Sequence, residues 1–180
     1  MHESSDSSSR GPDAWDRLYT PHRLAYLRGQ KGDSECPFCV APETIGDDGN
    51  LVCASGEHAY VVLNLYPYNS GHLLVCPYRH VADYTELTED ERSEIGALTQ
   101  QAMHTLRKVS NAQGFNIGMN QGSISGAGIA AHLHQHVVPR WGGDTNFMPI
   151  IGGTKVLPQL LEETRALLEE NWQATPASSD

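Results

Sequence analysis

The sequence predicts an α+β domain with a mainly antiparallel sheet, and three features of the chain carry that prediction. Short aliphatic and aromatic runs bounded by Gly, Pro and Asn fall into two groups, at 51–76 and 115–138. One long helical repeat separates the groups and a second closes the chain, which is not the regular alternation of a parallel α/β sheet. The 180 residues are 39% apolar and 19% charged, enough for one packed core and too apolar for a disordered chain.

The elements follow in order. Residues 1–12 and 173–180 read as polar tails, leaving 13–172 as a single domain. Trp15, Leu18, Tyr19 and Leu24 suggest a short helix over 15–27, interrupted near Pro21. Residues 29–50 carry Gly29, Gly32, Pro37, Pro42, Gly46 and Gly49, a loop region that holds Cys36-Pro37-Phe38-Cys39. Strands are expected at 51–54, 59–65 and 72–76, the last two separated by a turn at Pro67, Asn69, Ser70 and Gly71. Thr88-Glu89-Asp90-Glu91 is a capping box, and Ile95, Leu98, Ala102, Leu106 and Val109 then recur at helical spacing up to Gly114, the expected stop. Strand 115–119, a Gly-rich loop from Gln121 to Ala130 and strand 132–138 come next. A final helix over 158–172 places Leu160, Leu161, Thr164, Leu167, Leu168 and Trp172 on one face.

Twelve basic against 22 acidic side chains give a net charge of −10, which excludes a sequence-independent grip on nucleic acid phosphates. The acidity is uneven. Residues 51–80 and 111–155 hold Arg79, Arg140 and Lys155 against Glu57 and Asp144, a sum of +1, so the rest carries −11 and a small anion is not repelled from those segments. No apolar run approaches the roughly 18 residues of a membrane span, and no basic-then-apolar leader opens the chain, so a cytoplasmic protein without membrane attachment is expected.

Cys53 and Cys76 lie in apolar runs and read as buried thiols. Cys36 and Cys39 suit either redox chemistry or half of a zinc site. Their Pro/Gly-rich loop is unlike a thioredoxin strand-to-helix junction, and His80 and His132 are candidates for two further ligands. The most informative stretch is His132-Leu133-His134-Gln135-His136-Val137-Val138. Alternate strand residues share a face, so the three imidazoles are expected to project together, opposite Leu133, Gln135 and Val137. Such a set either chelates a catalytic metal or makes one imidazole a nucleophile that its neighbours orient.

Here the sequence resembles the histidine triad (HIT) superfamily, whose signature is His-x-His-x-His followed by two apolar residues. The resemblance covers roughly residues 15–155. It extends to Asn64, to Ser70-Gly71-His72-Leu73-Leu74-Val75 with Pro77, to the Thr88 helix and to the loop from Asn120 to Gly128. Residues 15–27, Gly126-Ala127-Gly128-Ile129 and Pro139-Arg140-Trp141 are most similar to the bacterial diadenosine tetraphosphate (Ap4A) phosphorylase branch. Ser70 in place of Pro and Gln135 in place of a small apolar residue depart from the family pattern.

The resemblance implies a HIT-like fold and a nucleotidyl transferase that forms a nucleotidyl-histidine at His134. His136 then serves as donor to the phosphoryl oxygens, His72 and His132 support the triad, Asn64 binds the ribose, and Asn120 with the Gly126, Ala127 and Gly128 amides binds the α-phosphate region. It implies a closed, structural zinc on Cys36, Cys39, His80 and His132 and no organic cofactor. Adenine nucleotides and inorganic phosphate are the expected partners, in a homodimer or larger homo-oligomer. A HIT hydrolase releasing AMP, a metal-dependent hydrolase using the triad as ligands and a non-catalytic nucleotide-binding module are the alternatives. The second suffers because the nearest downstream acid is Asp144, in a Gly-flanked turn. Arg140 and Lys155 are assigned neither to phosphate nor to the plain surface, and His22, His58 and His104 receive no role.

Overall fold

The computed structural model describes residues 36–144 and 160–172. The expected helix over 15–27, both tails, His22, Lys155, Pro158 and the first part of the 29–50 loop lie outside the described residues.

Five strands, β1 Val52–Ser55, β2 Ala59–Leu63, β3 Leu73–Pro77, β4 Gly114–Met119 and β5 Gln135–Arg140, form one antiparallel sheet in the order β1-β2-β3-β5-β4. The α+β, mainly antiparallel architecture is the expected one. Strands β2 and β3 are buried at every position because both faces of the sheet are covered. On one face Val61, Leu63, Leu73, Val75 and Val137 meet Ile95, Ala102 and Leu106 of helix α2 (Glu89–Ser110) and Leu168 of helix α3 (Leu161–Asn171). The opposite face carries Tyr60, Val62, Leu74 and Cys76 beneath Phe38, which belongs to the one-turn helix α1 (Pro37–Val40). Period-2 alternation therefore sends neighbouring residues of each strand into two different cores.

Thr88 caps α2 as expected, accepting from the Glu91 N–H at 3.2 Å while the Glu91 carboxylate accepts from the Thr88 N–H at 2.8 Å. Arg79 adds a fork of two bonds to Glu91, at 2.9 and 2.7 Å.

The other strand ends shift by one or two residues, and four further departures from expectation have a physical cause. Helix α2 stops at Ser110, not at Gly114, because Asn111 takes the left-handed conformation (φ 52) that closes the last turn. The CxxC segment is helical rather than loop: Pro37 presets the first turn, and the Cys39 and Val40 N–H groups both bond to the Cys36 carbonyl. Leu160 sits before α3 with extended backbone and is 68% exposed, off the apolar face it was expected to join. The triad strand was expected over 132–138, but ladder pairing begins at Gln135, since the Leu133 N–H donates to the Val81 carbonyl instead.

Candidate active site

His132 and His134 lie in the lead-in to β5, and His136 is its second residue. All three are buried, as is His72 immediately before β3. The His134 and His136 rings stand 5.0 Å apart and edge-on, so these two do share a face. His132 lies on the same α1 side, where Phe38 also meets its ring, and reaches the thiols of Cys36 and Cys39, each 3.5 Å from its Nδ1.

The hydrogen bonds fix which ring nitrogens carry protons, because a carbonyl only accepts and a backbone N–H only donates. His134 Nδ1 is 2.8 Å from the His132 carbonyl, so Nδ1 holds the proton and Nε2 keeps its lone pair. His132 Nε2 is 2.9 Å from the Pro77 carbonyl, so Nε2 donates and Nδ1 presents a lone pair to the cysteines. His72 Nδ1 accepts from the Tyr68 N–H at 3.0 Å and faces the Asn64 amide nitrogen at 3.3 Å. The Asn64 amide is oriented by its own oxygen, which accepts from the Tyr66 N–H. His72 Nε2 therefore donates to His136 Nδ1, 2.9 Å away. That leaves the neutral His136 with its proton on Nε2, facing the Asn120 amide nitrogen at 3.4 Å, so the Asn120 carboxamide must turn its oxygen toward Nε2 to accept that proton.

Two adjacent imidazoles thus present opposite chemistry: a basic nitrogen on His134 and an N–H donor on His136. Burial pushes the His134 pKa below its ordinary value, opposed only by the bond to the His132 carbonyl. The ring is accordingly neutral at pH 7, as a nitrogen nucleophile requires. Burial lowers His132 too, helped by His80 and His134 nearby and opposed by the Pro77 carbonyl.

Cys36, Cys39, His80 and His132 bring four ligand atoms within 4.8 Å of one another. A tetrahedral ion with metal–sulfur bonds of about 2.3 Å and metal–nitrogen bonds of about 2.0–2.1 Å has sulfur–nitrogen edges of roughly 3.5 Å. The separations here are 3.5, 3.5 and 3.2 Å, so the donor set fits such an ion in chemistry and in spacing. The expected four ligands are brought together, from α1, the residues after β3 and the lead-in to β5.

Asn120 stands at the foot of the Gly-rich loop, beside His136. Gly126 is exposed with φ 82, and Ala127 and Gly128 are half-buried. Arg140 is engaged by Asp144 at 2.6 and 2.8 Å and by Asn116 at 2.8 Å. That pairing holds the Asp144 carboxyl down at about 2. His104 is exposed on α2, Gln135 turns away from the triad to Thr99, and Cys53 and Cys76 are buried thiols as expected, Cys53 pushed up to about 12.

Sequence reasoning passed over two aromatic neighbours. Tyr68 stacks on His136 (5.4 Å, 17°) and leans over His72, besides giving His72 its backbone N–H. Phe38 lies 4.8 Å from the His134 ring and 5.5 Å from that of His132. Only their positions, four residues before His72 and between the paired cysteines, hinted at such roles.

Residues 49–143 match the model of the HIT domain. The chain is 47% identical over 172 residues, 91% of its own length and 88% of the relative's, to AP-4-A phosphorylase of Mycobacterium tuberculosis. With more than half of its length in the domain match, the chain belongs to the histidine triad (HIT) family, and its likeness to the phosphorylase branch is borne out. Among solved structures it is similar to a zinc-bound histidine triad family protein from Mycobacterium smegmatis (27% identity, TM-score 0.62, covering 78% of this chain and 95% of that one). It is also similar to a hypothetical histidine triad nucleotide-binding protein from Sulfolobus tokodaii (25%, TM-score 0.62, 76% and 91%). Among the described residues no helix is long and apolar enough to cross a membrane.

Proposed function

We propose that this protein is a nucleotidyl transferase that cleaves Ap4A with inorganic phosphate, giving ATP and ADP. The observation that carries the reading is the pair of locked tautomers, a lone pair on His134 Nε2 beside a proton on His136 Nε2. The near-full-length likeness to a protein called AP-4-A phosphorylase supports the substrate.

In the first half-reaction the His134 Nε2 lone pair forms a bond to the α-phosphorus. The bridging P–O bond breaks, and its electron pair leaves with ATP. The His136 N–H and the amides of Gly126, Ala127 and Gly128 meet the charge that gathers on the phosphoryl oxygens. Asn120 holds the α-phosphate region. Asn64 retains one amide N–H and a lone pair for the ribose hydroxyls while it steadies His72. A phosphate oxygen then attacks the adenylyl group on the far side of the N–P bond. ADP leaves, and the lone pair returns to Nε2. Positioning of that phosphate lets it outcompete water, since well-oriented reactants gain roughly 7–11 kcal/mol in effective concentration.

Cys36, Cys39, His80 and His132 would hold a zinc ion in a structural role, tying α1 to the lead-in of β5. The protein works as at least a homodimer. Among the described residues strand β4 is the last of the sheet, with Ile117 47% exposed, an edge that a second copy would cover. Residues 13–172 act as one cytoplasmic domain.

Product analysis of Ap4A with and without inorganic phosphate tests the reading. ADP should appear only when phosphate is present. AMP and ATP as sole products at every phosphate concentration would make the protein a hydrolase of the same family.

A further inference from the structure

The two thiols account for the ends of Cys36-Pro37-Phe38-Cys39, and Pro37 for the first turn of α1. Phe38 remains. Two residues on from Cys36 it lies about 200° around a helix from that ligand, so its ring leaves the metal-ligating group and enters the sheet face that carries the triad. There it is 9% exposed, packed with Val52, Tyr60, Val62, Leu74 and Cys76. Its backbone is held from outside α1 as well, because the buried Tyr60 hydroxyl donates to the Phe38 carbonyl at 2.5 Å.

What Phe38 touches matters more than how deeply it is buried. Its ring meets His134 at 4.8 Å with a 41° tilt, and the same imidazole stands edge-on to His136 at 5.0 Å and 68°. The bond from His134 Nδ1 to the His132 carbonyl pins one atom of the ring and sets the tautomer. One hydrogen bond does not set the tilt of the ring about that contact. The tilt decides whether the Nε2 lone pair points along the line of attack or beside it.

We infer that Phe38 is a positioning residue: held between the paired cysteines, it clamps the His134 imidazole against His136 and so aims Nε2 at the phosphorus. The inference rests on the reading of His134 as nucleophile. It makes α1 more than a staple, since the ends that reach the metal group fix the residue that sets the nucleophile's aim. Phe38 touches the imidazole before and during attack, so its contribution falls on the rate of N–P bond formation and not on nucleotide affinity.

The test is a volume series, Phe38→Leu, Phe38→Val and Phe38→Ala, in the full chain with metal content measured. Quenched single-turnover transfer of labelled adenylyl to the protein gives the chemical rate, and equilibrium binding of AMP gives the affinity. The rate should fall with each loss of volume, by roughly tenfold to a hundredfold at Ala, the scale of an ångström's misplacement, with Leu keeping most of it. AMP affinity should stay within about threefold across the series, a factor of less than 1 kcal/mol. In ¹⁵N-histidine spectra His134 should show a single Nδ1–H tautomer in the native protein and averaging in the Ala variant. Should Ala not fold, Leu and Val carry the comparison. A flat rate series in folded, metal-loaded protein overturns the inference, as does lost AMP affinity with an unchanged rate, which would make Phe38 a nucleotide contact. His134→Ala run alongside separates the two readings. An active His134→Ala removes the nucleophile itself, whereas an inactive one with a flat Phe38 series removes only the clamp.

Discussion

The two faces of the sheet are buried alike and built on different principles. Toward α2 and α3, Val61, Leu73, Val75, Val137, Ile95, Ala102, Leu106 and Leu168 make an apolar core whose contacts are interchangeable in kind. Toward α1, the same strands lead into His72, His132, His134 and His136, where Pro77, His132 and Tyr68 backbone groups assign every proton. No buried side-chain nitrogen or oxygen among the described residues lacks a partner. A buried polar group without a partner costs about 1–3 kcal/mol, so this face is stable only while its network is complete. The contrast teaches that one face can lose volume and keep its chemistry, whereas the other loses chemistry as soon as one donor or acceptor moves.

The sharpest way to break that comparison is His134→Ala. Turnover should drop by about 10³ or more, as is usual when a nucleophile is deleted, while AMP affinity and melting temperature change little. Activity retained within about tenfold would show that the histidine face is not the chemical one. Next in size is Cys36→Ser. Zinc analysis should give about one ion per native chain and none in the variant, with a loss of stability on the order of several kcal/mol. A metal-free native protein with the same melting temperature as the variant would contradict the closed site.

Leu106→Ala probes the opposite face. Urea unfolding should show a loss of about 2–5 kcal/mol, with the rate per folded molecule unchanged, because the cavity lies across the sheet from His134. A large drop in that rate would mean that the two faces are coupled through the strands. The smallest effect is at the helix cap, where Thr88→Ala should cost about 1 kcal/mol.

The cap also has a pH signature. Arg79, opposed by partial burial and helped by the Thr88 N–H, holds the Glu91 carboxyl at about 2, against 4.5 ordinarily. Its folded pKa lies below its unfolded one, so the carboxylate contributes stability that is fully present above pH 4.5 and is lost as pH falls toward 2. Melting curves across that window should fall less steeply in Glu91→Gln than in the native protein. Equal slopes would place the acid sensitivity elsewhere.

Much of this was legible in the chain. Helix α2 announced itself through Thr88, Glu91 and the spacing of Ile95, Ala102 and Leu106, because caps and amphipathic periods are written within a few residues of one another. The strands showed as short apolar runs, and the triad with its paired cysteines pointed to the histidine site and to the four residues, Cys36, Cys39, His80 and His132, that the fold brings together. What the sequence could not carry was set by partners far along the chain. His132 and Cys36 are 96 residues apart, and His132 is 55 from the Pro77 carbonyl that chooses its tautomer. Three histidines at alternate positions look equivalent in a list. The fold places one in a group of two cysteines and two histidines that could hold a metal, gives one a bare ring nitrogen and makes one a donor, through carbonyls and N–H groups that carry no side-chain signature. Residue types and local periods are properties of neighbours in sequence, and they determined the elements and the candidate groups. Protonation, aim and the clamp of Phe38 on His134 depend on which distant backbone atom lies within hydrogen-bond reach, and only the packing of the sheet decided that.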